Sequence, residues 1–125
     1  MRYQFLQDIT EFFSWQAYGL KAVDKRWKRI IKKTQKQTEQ EYKLAIIEAD
    51  DFLYQILYER GYEGANFEQK IGKVGKKILP NFKDILDSHK IRNSIVYDVD
   101  YKLDIEKAKT ILTNYENAIK NIAIS

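Results

Sequence analysis

The scarcity of turn-forming residues is the feature that most limits what this chain can fold into. Only one proline and five glycines occur in 125 residues, which leaves too few turns for a strand-rich architecture. Long stretches of Lys, Glu, Gln, Leu, Ile and Ala lie between them and favour helix. We therefore predict an all-α fold, a four- to six-helix up-and-down bundle formed by a single domain over residues 1–125.

Apolar periodicity and capping signals place the first helices. A helix with an aromatic-rich face is expected over about residues 3–20. A basic segment over about residues 23–37 either continues it or forms a separate helix. Thr38–Glu41 matches a capping box, which predicts a central helix running to about Arg60 and apolar on most sides.

Three further signals place the remaining helices. Asn66–Gln69 matches a second capping box and opens a short helix. Pro80 is expected to begin the next helix, because proline is favoured in the first turn. Asp104 caps the last helix, which has the clearest apolar repeat of the chain.

Positive charge is concentrated in one segment. Residues 21–36 hold eight lysines and arginines against the single acid Asp24. Such a run attracts phosphate backbones or anionic lipid heads, and a solvated helix face is the alternative. The candidate RNA-binding residues are Arg26, Lys28, Arg29, Lys32 and Lys33.

Several functional classes find no support in the sequence. One histidine and no cysteine argue against a zinc site, and no glycine-rich phosphate loop follows a strand, so neither a metal nor a cofactor is expected. No apolar run approaches the ~20 residues of a transmembrane helix, and no signal peptide is recognisable. We expect a cytoplasmic protein without an integral membrane segment. A membrane-surface role for the aromatic and basic first helices is a weaker alternative.

Polar residues interrupt the apolar pattern of the helix that is expected to begin at Pro80. At ~100° per residue, His89 and Asn93 fall on its apolar side, with Arg92 at one margin and Tyr97 at the other. Unpaired polar groups on a core-facing side cost roughly 1–3 kcal/mol each. Another helix, a second subunit or a ligand must therefore meet them.

Carboxylates on the central helix are the expected partners of the arginine. Asp50 lies on the same face as Ile46, Leu53 and Leu57, and a buried carboxylate there needs a cationic partner. Arg92 is the first candidate for that partner. Glu48 is the other acid that we expect to orient the guanidinium.

The helical hairpin from about residue 83 to the C terminus resembles the HEPN domain superfamily. The similarity rests on His89–Tyr97, on the acidic break at Asp98–Tyr101 and on the helix that follows it. Lys43–Asp50 and Gly61–Gly64 are also similar to small bacterial HEPN-like proteins. The resemblance covers about residues 42–122 and leaves the first forty residues unexplained.

The resemblance implies a helical bundle that pairs as a homodimer and brings two motifs together. In HEPN ribonucleases that motif is an Arg, often followed directly by a polar residue, and then a His a few residues later. Arg92 and Asn93 match the first two positions, whereas Tyr97 stands where the His belongs. A phenol with a pKa of ~10 is a poor base for RNA cleavage, and His89 is the residue that would replace it.

We accordingly favour a binding function over RNA cleavage. We predict a HEPN-like dimer that acts as a non-catalytic interaction, RNA-binding or regulatory protein. The alternative is a metal-independent HEPN-type endoribonuclease of the defence or toxin–antitoxin kind, with Arg92, Asn93, His89 and Tyr97 lining a composite cleft. The expected partners are a second copy of the chain, RNA and a cognate protein such as an antitoxin.

Overall fold

The computed structural model describes residues 20–125, and the helix predicted over about residues 3–20 lies outside them. Five helices and no strands form this part of the chain, which confirms the all-α prediction. The helices are α1 (Lys21–Lys32), α2 (Glu39–Glu59), α3 (Phe67–Val74), α4 (Phe82–Tyr97) and α5 (Ile105–Ala123).

The two longest helices, α2 and α5, form the centre of the bundle and run in the same direction. At one end, Glu39 accepts a hydrogen bond from the backbone N–H of Leu103, just before α5 begins. At the other end, the guanidinium of Arg60 donates to the carbonyl of Ala123. Both α1 and α4 pack against α2 and run opposite to it, and α3 packs on both α2 and α4. The topology is therefore up-and-down around α2.

The core is almost entirely aliphatic and aromatic. α2 buries residues on most of its circumference, as the sequence predicts for a central helix. α5 buries the repeat that begins at Ala108 and ends at Ile122. The largest fully buried side chains are Tyr115, Ile46, Leu53, Leu57, Ile71, Ile85, Ile119 and Ile122. Asp50, Ser88 and His89 are buried polar exceptions, and they lie where α2 and α4 meet.

The predicted capping residues cap their helices. In each capping box, however, the Glu or Gln side chain does not accept the backbone N–H of the capping residue itself. Thr38 accepts from the backbone N–H of Glu41, whose own carboxylate accepts from the N–H of Lys36 rather than from that of Thr38. The chain reverses at Gln37, where φ is 54°, and this turn brings the N–H of Lys36 to the carboxylate. Asp104 caps α5 through the N–H of Lys107 as predicted.

Two predicted helix boundaries were wrong. The basic helix was expected to reach about residue 37 but ends at Lys32, because turns at residues 33–36 lead into the reversal at Gln37. Pro80 was expected to begin a helix, but α4 begins at Phe82. The intervening residue Asn81 has a non-helical backbone (φ −104°, ψ 39°), so Pro80 belongs to the preceding turn, where its fixed φ is equally suitable.

No helix within residues 20–125 combines the length and the apolar character that crossing a membrane requires.

Candidate functional site

The carboxylate of Asp50 is the centre of a buried polar cluster. Asp50 is 2% exposed, and one of its oxygens, Oδ2, lies 2.8 Å from Nδ1 of His89 and 2.6 Å from the hydroxyl of Tyr115. Because a carboxylate only accepts hydrogen bonds, both neighbours donate. Burial, reinforced by the negative charge of Asp50, raises the pKa of Tyr115 far above its usual value, so the phenol keeps its proton. The cluster thus joins α2, α4 and α5.

Arg92 lies against the other oxygen of the same carboxylate. Its Nε is 3.6 Å from Oδ1 of Asp50, and one terminal nitrogen donates to Asp51 at 3.3 Å. The other terminal nitrogen donates to the side-chain oxygen of Asn93 at 2.9 Å. The Arg92 side chain is 22% exposed, so this guanidinium is held at a helix–helix contact while one edge faces solvent. Nε itself is buried and makes no hydrogen bond.

The imidazole of His89 is stacked on one face and has polar neighbours at both nitrogens. Phe67, the first residue of α3, stacks on it with ring centroids 4.1 Å apart and planes 2° from parallel. Its Nε2 lies 3.4 Å from the amide nitrogen of Asn93 and 3.8 Å from a carboxylate oxygen of Glu68. Nδ1 donates to Asp50, and the side-chain amide nitrogen of Asn93 lies within hydrogen-bond distance of Nε2. The ring is therefore hydrogen-bonded and stacked in a nearly closed setting.

Of the two acids predicted to orient Arg92, the structure brings only Asp50 to it. Glu48 lies two residues earlier on α2 and therefore points to another side of the helix, where it binds Lys33 of the α1–α2 segment at 2.9 Å. Asp51 takes the second position instead. The side chains of Asp50 and Asp51 point in different directions from α2, but the planar guanidinium of Arg92 forms ion pairs with both.

Three of the four predicted motif residues meet, and the fourth does not. His89, Arg92 and Asn93 form one hydrogen-bonded group. Tyr97 is 80% exposed and lies five residues after Arg92, ~140° around the helix. The position that resembles the histidine of the HEPN motif thus faces solvent in the single chain.

The orientation of α4 differs from the expected one. Ile85, Ser88 and His89 are its buried residues, and Arg92 follows Ile85 by two turns on the same side. Arg92 is therefore central to the packed face rather than at its margin. Ser88 is buried on this face, where its hydroxyl donates to the carbonyl of Asp84 at 2.8 Å.

Sequence reasoning missed Tyr115 and Asp51 as members of the cluster. Tyr115 fits the apolar repeat of α5, which by itself indicates a packing residue, but a buried phenol requires an acceptor for its hydroxyl. The need for this acceptor was the signal in the sequence that could have identified Tyr115 as a member of the cluster. Nothing in the one-dimensional pattern distinguishes Asp51 from other exposed acids of α2.

The predicted RNA-binding residues lie on α1 and at its end, and three of the five already have partners. Lys28 binds Asp24, and Lys33 binds Glu48. Arg26 lies over the ring of Phe52 at 4.2 Å and donates to Gln55. Arg29 and Lys32 are exposed.

A cleft of about 160 Å³ opens between α1 and α2, and we call it the basic cleft. Its lining residues are Arg26, Arg29, Ile30, Lys33, Glu48 and Asp51. Asp51 also binds Arg92, so this cleft adjoins the exposed edge of the Asp50 cluster.

Comparison with known proteins gives this chain no relatives. No protein-family model matches it, and no curated protein or solved structure does so either. Within residues 20–125, no group of three or more His, Cys, Asp or Glu side chains is arranged to hold a metal ion. The functional argument therefore rests on the geometry of the site.

Proposed function

We propose that this chain is a HEPN-like, non-catalytic interaction protein that forms a homodimer through the end of α4 and binds RNA through α1. The observation that carries the proposal is the arrangement of the α4 motif. Arg92 is held by Asp50, Asp51 and Asn93 of its own chain, while Tyr97 is exposed. Removing a guanidinium bound in this way destabilises a fold, and an exposed aromatic residue favours contact with a partner.

The hydrogen bonds of the Asp50 cluster support a structural role for it. Both oxygens of Asp50 face donors or a cation, and both ring nitrogens of His89 have partners within 3.5 Å. Phe67 covers one face of the imidazole. A substrate would have to displace these contacts before it reached the base.

Exposed apolar side chains at the end of α4 support the homodimer. Val96, Tyr97 and Val99 are all exposed, and Val99 is 92% exposed. Leu44 is exposed in the neighbouring first turns of α2, where Lys43 donates to the carbonyl of Tyr101. We call these four residues the α4 end patch. Exposed apolar side chains of this kind are typical of interfaces, and twofold pairing is the commonest form of self-association.

Analytical ultracentrifugation tests the homodimer. We expect the wild-type chain to sediment as a dimer and Tyr97→Asp as a monomer, because a buried unpaired charge is unfavourable at an interface. Tyr58→Asp is the matched control, since Tyr58 is also exposed but lies at the other end of α2. A wild-type monomer at about 100 µM would reject the homodimer, because a Kd of ~10 µM already gives mostly dimer there.

Titration of a fluorescent single-stranded RNA tests the second half of the proposal. Binding through lysines and arginines releases counterions, so affinity should fall steeply as salt rises. No binding at about 50 mM salt, where this electrostatic attraction is strong, would reject RNA as the partner.

One observation favours the alternative of a metal-independent endoribonuclease. The carboxylate of Asp50 orients His89 through Nδ1, which leaves Nε2 as a base beside Arg92 and Asn93. In such a reaction Nε2 would take the proton of a ribose 2′-hydroxyl, whose oxygen attacks the neighbouring phosphorus. The bond from phosphorus to the 5′-oxygen would break, and that oxygen would take a proton from water, giving a 2′,3′-cyclic phosphate and a 5′-hydroxyl.

Incubation of RNA with the protein in EDTA distinguishes the two functions. The non-catalytic proposal predicts intact RNA with wild type, Arg92→Ala and His89→Gln alike. Cleavage by wild type that both substitutions abolish, in variants whose circular dichroism shows a retained fold, would replace the proposal with the nuclease.

A further inference from the structure

Two arginines that line the basic cleft have no carboxylate partner within residues 20–125: Arg26, which donates to the neutral amide of Gln55, and Arg29. Lys33 binds Glu48, and Asp51 binds Arg92. Arg29 is exposed and, within residues 20–125, has no ion pair. Its planar fork suits a bidentate contact with a phosphate. Arg26 and Lys33 add positive charge beside it, so the cleft attracts an anion although it includes two carboxylates.

The size of the basic cleft restricts which part of a ligand it can hold. Its volume is about 160 Å³, whereas pockets for whole drug-sized ligands measure ≈ 300–1,000 Å³. A phosphate group fits this space, and the rest of a nucleotide must lie outside it.

An exposed aromatic ring lies next to the cleft on the same face of α2. Tyr58 follows Asp51 by seven residues, which places it on the same face of α2 at about 11 Å along the helix axis. The ring is 70% exposed. The ammonium of Lys70, a residue of α3, lies 5.5 Å from the ring centroids of both Tyr54 and Tyr58. Cation–π attraction to this ammonium helps to hold the two rings in place.

We infer that single-stranded RNA crosses this face of the protein, with one backbone phosphate in the basic cleft and a base stacked on Tyr58. The inference rests on the proposed RNA binding and adds the position of the strand and the class of RNA. A groove of positive charge combined with an exposed aromatic ring is the usual composition of single-strand sites. Duplex RNA hides the faces of its bases and therefore cannot use Tyr58.

The test uses fluorescence anisotropy with three labelled strands: oligouridine, an abasic strand with the same number of phosphates, and an RNA duplex. The variants are Arg29→Gln, Tyr58→Leu and Tyr58→Phe. Lys107→Gln is the matched control for charge, since Lys107 is an exposed lysine of α5.

Each substitution has its own expected signature. Tyr58→Leu should weaken oligouridine binding by about 5- to 160-fold, from a stacking contribution of ≈ 1–3 kcal/mol per base, and should leave the abasic strand unaffected. Tyr58→Phe should retain wild-type affinity. Arg29→Gln should weaken both single strands and reduce the salt slope by about 0.7, and Lys107→Gln should change neither.

The outcomes separate failure of the inference from failure of the proposed function. If wild type binds RNA but Arg29→Gln behaves like Lys107→Gln, or Tyr58→Leu has no effect, this binding mode is wrong and RNA binding stands. If no strand binds wild type, the proposed RNA binding fails as well. Binding of anionic vesicles that requires Arg29, without RNA binding, would reassign the cleft to a lipid surface.

Discussion

The charged residues of α2 form two groups that differ in burial and, we argue, in role. Asp50 is buried and interacts with His89, Arg92 and Tyr115 from two other helices. Glu48 lies two residues away, and its side chain is partly exposed next to Lys33. Both acids are paired with basic side chains, but only the pairs of Asp50 are buried away from water.

This difference decides what each ion pair contributes. A buried charge that loses its partner retains the full desolvation cost, so breaking a buried pair is strongly destabilising. An exposed pair gains little over hydration of the separate charges. Breaking the α2–α4 contact should therefore cost more stability than breaking the α1–α2 contact.

The largest expected effect is that of Asp50→Asn. The substitution keeps the shape of the side chain but leaves Arg92 beside a neutral amide and gives His89 and Tyr115 a weaker acceptor. We expect the free energy of unfolding to fall by about 3–5 kcal/mol in urea denaturation. Glu48→Gln is the matched control, with an expected loss below about 1 kcal/mol. Similar losses for the two variants would remove the distinction between the two groups.

Tyr115→Phe should have the next largest effect. It removes the hydroxyl that donates to Asp50 and keeps the buried ring. Hydrogen bonds to charged groups contribute about 1.5–3 kcal/mol, and we expect a loss in that range by urea denaturation. An unchanged unfolding midpoint would mean that water or another donor replaces the phenol.

The same tyrosine predicts how stability depends on alkaline pH. Burial raises the pKa of Tyr115 in the folded state, so above about pH 10 the unfolded chain releases a proton that the folded chain retains. Stability from this group is complete below pH 10 and declines above it by ~1.4 kcal/mol per pH unit. The difference between wild type and Tyr115→Phe should therefore shrink between pH 9 and 11. A constant difference would show that the phenol titrates normally.

The ion pair of Lys33 with Glu48 should contribute little. A double-mutant cycle with Lys33→Gln and Glu48→Gln should give a coupling energy of about 0.2–1 kcal/mol that decreases as salt rises. A coupling above ~2 kcal/mol would place this pair in the same energetic class as the buried cluster.

A smaller effect is expected at low pH from Glu39. The backbone N–H of Leu103, together with Lys43, lowers the pKa of this carboxyl below 4.5. Its contribution to stability is present above that value and is lost as pH falls through the lowered pKa. Thermal melts between pH 6 and 3 should show a slightly shallower decline for Glu39→Gln. Identical profiles would mean that the contact is equally strong with the acid protonated.

Local sequence signals predicted most of the fold. Thr38, Asn66 and Asp104 cap the helices that they were expected to cap, because a capping bond joins residues only three positions apart. The boundaries at Pro80 and near residue 37 failed because turns were decided by contacts and backbone angles that periodicity does not encode.

The candidate site was only partly predictable. Asp50 and Arg92 were recognisable because a buried charge demands an opposite one, whatever the fold. The roles of Tyr115 and Asp51 depend on how three helices are rotated against one another. That rotation follows from the packing of whole faces, and it places Arg92 at the centre of the packed face of α4.

One comparison of two arginines tests the central claim most directly, because Arg92 belongs to the buried cluster and Arg29 to the basic cleft. Urea denaturation of Arg92→Ala and Arg29→Ala, at one protein concentration, measures what each contributes to stability. We predict that Arg92→Ala loses about 2–3 kcal/mol, less than a fully buried pair because one edge is solvated, and that Arg29→Ala loses less than about 0.5 kcal/mol. Equal losses, or a fully stable Arg92→Ala protein, would contradict the account.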